Sequence, residues 1–190
     1  LSSVGGPTES KGDIAFAVPL KRAMEAQEDL ERDVWTHGFH SYPARMHPAI
    51  ARVCLESFAR DGRDRGTVVD PFCGSGTVAI EAMVQGWRSL GSDLNPLAIR
   101  LARVKTQRRG EKERIRFLKV AKAVAQASTD RVQARVKVRA DLHPDEFRRY
   151  DVHVVKELAG LLEEIRAVDN EADRNALEMV FSSIIIKVSR

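Results

Sequence analysis

Asp70, Gly74, Gly76, Asp93 and Asn95 are the residues in this sequence whose types and spacing suit a ligand site. Asp70 ends a short β-branched run, Thr67-Val68-Val69, and leads into Pro71-Phe72 and the turn Cys73-Gly74-Ser75-Gly76-Thr77. The two glycines permit positive φ and let a ligand come close to the main chain. A second acid, Asp93, follows about 20 residues later, where a nucleotide-binding βαβ unit places the carboxylate that meets a ribose diol. The third glycine of the dinucleotide fingerprint is missing from its offset. An acid directed at the turn from Asp70 would repel a pyrophosphate and suit a cationic or zwitterionic ligand.

The flanking patterns predict the elements that hold these residues. Thr67 to Val69 reads as a buried strand. From Thr77 the pattern turns helical, with Val78, Ala79, Ala82 and Met83 on one face and Gly86 as the C-terminal stop. A second strand is predicted over Arg88 to Gly91, ending in Ser92-Asp93. The order strand, glycine turn, helix, strand, acid predicts an α/β fold. S-adenosylmethionine, which carries a sulfonium and an ammonium, has the charge that such a site would favour.

Three segments carry a resemblance to a known family. Asp70-Pro71-Phe72-Cys73-Gly74-Ser75-Gly76-Thr77 resembles the first motif of S-adenosylmethionine-dependent amino-methyltransferases of nucleic acids, and Ser92-Asp93-Leu94-Asn95-Pro96-Leu97-Ala98 resembles their second. Upstream, His40-Ser41-Tyr42-Pro43-Ala44-Arg45-Met46-His47-Pro48 is similar to the tyrosine-proline-alanine-lysine segment that precedes the first motif in DNA N4-cytosine and N6-adenine methyltransferases. The resemblance spans about Gly38 to Thr106 and is more specific for the cofactor than for the substrate, because some RNA guanine-N2 methyltransferases carry a similar first motif. It implies that Asp70 to Thr77 cradle the methionine and ribose of S-adenosylmethionine. It further implies that Asp93 bonds the ribose hydroxyls, that Leu94 lies against the adenine beside Asn95, and that Tyr42, Pro43, Ala44 and Arg45 complete the methionine side. The implied fold is a Rossmann-like methyltransferase sheet, incomplete here, with a helical C-terminal extension or insertion. The segments expected are a mobile leader and N-terminal helix over 1–36, the cofactor-binding βαβ region over 37–109, and a mainly helical portion over 110–190.

Composition narrows the class. The chain has 190 residues, 43% hydrophobic and 31% charged, as expected of a globular protein with room for a core. No apolar run has membrane-span length and no signal-peptide pattern is present, so a cytoplasmic protein without membrane contact is expected. Two cysteines, Cys54 and Cys73, form neither metal spacing nor a disulfide framework, and His37, His40 and His47 have no ligand spacing. No metal is expected. A net charge of +4 is compatible with a polyanionic partner. Leu1 at the start, and an end at Arg190 without a capping or tail signal, suggest part of a longer polypeptide.

Taken in order, Leu1 to Asp13 reads as a leader and Pro19 to Val34 as a charged helix that covers the sheet edge or meets a partner. Trp35 to Tyr42 is a loop rich in aromatics and histidine. A helix starts at Pro48, with Ile50, Val53, Cys54 and Phe58 inward and Gly62 as its stop. Asn95 and Pro96 open another, lined by Leu97, Ala98, Leu101 and Val104. Its basic end, Lys105, Arg108 and Arg109, reads equally as a solvated helix terminus and as a phosphate-contacting surface. Further helices are expected over Glu111 to Ser128, with Ile115, Leu118, Ala121 and Ala125 inward, over Val152 to Val168, and over Asn170 to Val188. Val136 and Val138 alternate with basic residues as in a short exposed strand. Asp141 beyond them is either the acid that this family sets against the adenine amino group or part of an ordinary turn.

One expected feature is missing. Amino-methyltransferases that resemble this chain hold the base with an Asp/Asn/Ser-Pro-Pro-aromatic loop, whose oxygens accept the amino hydrogens and whose ring stacks the flipped base. The seven prolines are Pro7, Pro19, Pro43, Pro48, Pro71, Pro96 and Pro144, and no two are adjacent. The chain is therefore expected to be the cofactor-binding portion of a DNA amino-methyltransferase, with the remainder of the same enzyme or a partner subunit supplying the base pocket. An RNA guanine-N2 methyltransferase and a catalytically silent binding subunit are the alternatives. Cys73 lacks the prolyl-cysteine context of a C5 nucleophile and is assigned to packing.

Overall fold

The computed structural model describes residues 8–25, 31–43, 45–59, 65–138 and 148–188. The chain divides into two compact units, Leu1–Thr106 and Gln107–Arg190.

The first unit is built on two parallel strands, β1 (Thr67–Asp70), one residue longer than expected, and β2 (Arg88–Gly91), at the bounds expected. Their register pairs Thr67 with Arg88 and Asp70 with Gly91. The ladder continues past the strand ends, where Ser92 N–H donates to the Asp70 carbonyl at 3.0 Å and Cys73 N–H to the Ser92 carbonyl at 2.9 Å. Those two bonds carry the glycine turn across to the second acid. β1 is not buried as expected. Val69 and its partner Leu90 are both exposed, because no described element covers their face of the sheet.

Helix α3 (Thr77–Val84) connects the strands and ends in a Schellman motif: Trp87 N–H reaches the Ala82 carbonyl at 2.8 Å, Gly86 N–H reaches Met83, and Gly86 has φ +79. Its buried residues are Thr77, Ile80, Glu81 and Ala82; of the expected face, Ala82 is buried and Val78, Ala79 and Met83 are half-buried. Helix α2 (Pro48–Phe58) starts at Pro48 as expected, with His47 Nδ1 accepting the Ala49 N–H at 3.2 Å. Its buried side holds Ala49, Ala51, Val53 and Leu55, so the inward stripe is rotated from the one expected and Phe58 stays exposed. Gly62 lies outside the described residues.

Helix α1 (Ile14–Glu25) corrects the Pro19–Val34 expectation. Asp13 sets its start, with Oδ1 accepting from Ala15 N–H at 2.9 Å, and Pro19 falls inside the helix. The helix packs on α2, with the Phe16 and Phe58 rings 5.9 Å apart, and not on the sheet edge. Helix α4 (Pro96–Thr106) begins as expected, Asn95 Oδ1 accepting from Leu97 N–H at 2.9 Å. Its buried residues are Ala98, Leu101 and Lys105.

The second unit is helical. Helix α5 (Glu111–Gln133) runs longer than expected, and its inward residues are Phe117, Val120, Ala121 and Val124, while Ile115 and Leu118 are exposed. Helices α6 (Val152–Arg166) and α7 (Glu171–Lys187) supply Ile165, Leu177 and Phe181 to the same core. Residues 136–138 form no strand, since no described segment pairs with them. Asp141 lies outside the described residues. Among those described, no helix is long and apolar enough to cross a membrane.

Candidate cofactor-binding site

The site lies at the carboxyl ends of the two parallel strands, where open α/β sheets bind their ligands. Gly74 has φ +49 and Gly76 φ +86. A methyl group on Gly76 would come within 2.9 Å of Ala102 Cβ and 3.0 Å of Ala102 Cα, so this glycine also allows α4 to pack on the turn. Gly91 does the same from β2, where a Cβ would meet Cys73 Cβ at 2.9 Å.

Asp93 ties the two motifs together. Its Oδ2 accepts from Gly74 N–H at 2.9 Å and its Oδ1 from Asn95 N–H at 2.8 Å. Each oxygen keeps a lone-pair site for a further donor. Asp70 Oδ1 accepts from Phe72 N–H at 3.1 Å, which folds the chain into the turn. Among the described residues, no lysine or arginine forms an ion pair with either carboxylate. Ser92 Oγ donates to the Pro71 carbonyl at 3.1 Å.

Tyr42 joins this group from the loop before α2. Asn95 Nδ2 donates to its hydroxyl at 3.3 Å, and a Cβ on Gly74 would lie 3.7 Å from Tyr42 Cε1, placing the ring against the turn. Pro43 is exposed beside it, and Ala44 lies outside the described residues. Arg45 is directed elsewhere: its guanidinium pairs with Asp33 Oδ1 at 2.6 Å and donates to the His37 carbonyl. Its part is to close the loop on itself, and the Asp33 carboxyl is held below its ordinary value by that bond. A cavity of about 250 Å³ lies among Arg32, Asp33, His40, Ser41, Tyr42 and Arg45. Phe72 and Leu94 project into solvent, 87% and 100% exposed.

Cys73 and Ser75 serve the turn from inside. Burial, reinforced by the Asp70 and Asp93 carboxylates, pushes the Cys73 thiol above its ordinary pKa, which leaves it protonated and unsuited to nucleophilic attack. Ser75 Oγ accepts from Lys105 Nζ at 3.3 Å. Lys105, expected at a basic helix end, is instead 2% exposed, and burial lowers its pKa to about 8. Arg109, placed at the same end, pairs with the buried Asp173 and lies 4.4 Å from the Phe117 ring centroid. Neither is a free phosphate contact. A second set, the buried His37 and Glu81 with the half-buried Arg52, was also missed. Its signal was Glu81 itself, the one charged residue in the apolar helix Thr-Val-Ala-Ile-Glu-Ala-Met-Val.

The two carboxylates, the exposed apolar side chains of Phe72 and Leu94, and the backbone at Gly74 fit a ligand with positive charge, a diol and a flat ring. A family model described as RMKL-like, methyltransferase domain matches residues 38–149, more than half of the chain. The chain belongs to this methyltransferase-domain family. Among curated proteins, the methyltransferase domain is 37% identical over 71 residues to the Type II methyltransferase M.MvaI of Kocuria varians, covering 37% of this chain and 16% of that one. It is 30% identical over 95 residues to the Type II methyltransferase M.MjaII of Methanocaldococcus jannaschii, covering 50% of this chain and 17% of the relative. Ribosomal protein L11 methyltransferase of Yersinia pestis is 35% identical over 91 residues, 47% of this chain and 31% of the relative. The chain thus spans less than a third of the length of these relatives. No solved structure matches it.

Proposed function

We propose that this chain is the S-adenosylmethionine-binding portion of a DNA amino-methyltransferase acting on cytosine N4 or adenine N6. The observation that carries the reading is the convergence of Tyr42, Gly74, Asp93 and Asn95, drawn from all three motif segments, on one turn. Bound S-adenosylmethionine would supply an electrophilic methyl group. The chain's own residues would orient it: Asp70 and Asp93 by charge and hydrogen bonding, Gly74 by open backbone, Leu94 and Phe72 against the adenine, and Tyr42 at the methionine end. Alignment of donor and acceptor is then the main source of rate, and no enzyme nucleophile is needed. The acceptor pocket is assigned to residues outside this chain, because no Pro-Pro-aromatic loop occurs in it.

The second unit carries an exposed basic face on α5, with Lys112, Arg114, Lys119 and Lys122 pointing to solvent. We assign phosphate contact to this face and not to Arg109 and Arg116, which pair with Asp173. The test is fluorescence anisotropy of a duplex DNA and an RNA of the same sequence across a salt series. The reading expects tighter DNA binding, and a log–log salt slope that falls by up to about 4 when all four cations are changed to Glu. An unchanged slope would remove the basic face from the account. Tighter RNA binding would favour the guanine-N2 alternative.

A further inference from the structure

Tyr42 belongs to a loop that has no regular structure beyond the turn of 3₁₀-helix at His37–Phe39. Short-range bonds close that loop on itself: Arg45 binds Asp33 and the His37 carbonyl, and Arg32 donates to the Arg45 carbonyl at 3.4 Å. None of these bonds ties it to the helix that follows the glycine turn. That connection is made by His37, which is fully buried, its Nε2 lying 2.8 Å from Glu81 Oε1.

Glu81 sits on α3, one turn beyond its first residue, and its side chain is also fully buried. Arg52 of α2 grips it with Nε to Oε2 at 3.0 Å and Nη2 to Oε1 at 3.2 Å. Gln85 Nε2 in turn donates to the Arg52 carbonyl at 3.1 Å. Burial raises the Glu81 pKa, but the bonds from His37 and Arg52 outweigh it and keep the carboxylate charged. A buried charge with three directed donors holds its partners in one geometry, because any displacement leaves a donor or the carboxylate unsatisfied. α3 begins directly after Gly76, so whatever is fixed to α3 is fixed relative to Gly74.

We propose that Glu81 is a positioning residue for the cofactor site, acting through His37 to hold the loop so that Tyr42 stays against Gly74. This rests on the cofactor reading above. The hydrogen bonds of the Glu81 carboxylate go to His37 and Arg52, not to Tyr42 or the glycines. It sets the distance between two segments that must both face the ligand. Loss of His37 alone should then release the loop from α3 and let Tyr42 shift, although Thr36 Oγ1 still donates to the Lys105 carbonyl at 3.0 Å, while leaving the Glu81–Arg52 pair and the packing of α2 on α3 in place.

The test separates positioning from general stability. In the full chain, the Gly74 signals in a two-dimensional ¹H–¹⁵N spectrum are expected to carry the ring-current shift of Tyr42, defined by comparison with Tyr42→Ala. His37→Gln should move Gly74 towards its Tyr42→Ala position while Gly76, packed on Ala102, keeps its own. Calorimetric titration with S-adenosylhomocysteine at a temperature where every variant is folded then forms a double-mutant cycle. His37→Gln should weaken binding about tenfold beside Tyr42, and by less than about twofold in the Tyr42→Ala background. Glu81→Gln should follow the same pattern if it folds. Gly74 signals unmoved by His37→Gln, or equal losses in both backgrounds, would overturn the proposal. A wild-type chain that shows the Gly74 response but binds no S-adenosylhomocysteine would overturn the cofactor reading, and with it the role given to Glu81.

Discussion

The Tyr42 ring lies against Gly74 at a distance that leaves room for a methyl group, whereas Gly76, two residues on, has none beside Ala102. The Cβ contacts would be 3.7 Å in the first case and 2.9 Å in the second. Both glycines have positive φ. They therefore share a backbone penalty and differ in packing.

Gly74→Ala should cost about 1–2 kcal/mol, the penalty for a left-handed backbone. Gly76→Ala should cost more, because Ala102 contacts it through its backbone Cα as well as its side chain. Urea unfolding of the two variants checks the order. Equal losses would mean that α4 is not seated on the turn.

Lys105 makes stability depend on alkaline pH. Its folded pKa, about 8, lies below the ordinary lysine value of 10.5, so the unfolded chain binds its proton more tightly. The burial penalty is full below pH 8 and is relieved as pH rises towards 10.5, a range worth about 3 kcal/mol. Lys105→Met, which keeps the stem and loses the charge, should raise stability at pH 7 and show a smaller rise between pH 8 and 10. The measurement is the wild-type minus variant difference in unfolding free energy across that range. A flat difference would show that the ammonium is solvated.

In the second unit, Asp173 is fully buried between Arg109 and Arg116, whose side chains are 14% and 48% exposed. Burial raises the Asp173 pKa, but bonds from the two guanidiniums outweigh this and lower it. Its contribution is present above the ordinary carboxyl value of 3.8 and is lost as pH falls through the depressed folded value. Arg109→Met should cost about 3 kcal/mol at pH 7, and Arg116→Met less, because Arg116 is the more solvated partner. Asp173→Asn should remove the added acid sensitivity. Circular dichroism at 222 nm during thermal unfolding reads all three.

Local signals in the sequence were legible and long-range ones were not. The strands at Thr67 and Arg88, the helix start at Pro48, the cap at Asn95 and the stop at Gly86 depend on neighbours within a few residues. The inward faces of α2 and α5 were misjudged because their apolar residues cover more than one stripe, and the partner helix decides which stripe is buried. Pro19 looked like a helix start, but Asp13, a better cap, starts α1 five residues earlier. The Val136–Val138 alternation had strand form but no pairing partner among the described residues. His37, Glu81, Arg52 and Lys105 were missed for one reason. Their polar partners lie far away in sequence, and each residue alone looks like an ordinary surface group.

The cofactor site itself can be tested by thermal unfolding with and without S-adenosylmethionine, using Leu94→Ala for comparison. Leu94 is fully exposed, so its loss should leave the ligand-free transition unchanged. Ligand at about 100 times its dissociation constant should add roughly 2.7 kcal/mol to the wild type, a rise of about 5–10 °C for a chain of this size. At the same ligand concentration Leu94→Ala should rise less. No shift of the wild-type transition at millimolar S-adenosylmethionine would contradict the assignment of Asp70 to Asn95 as a cofactor site.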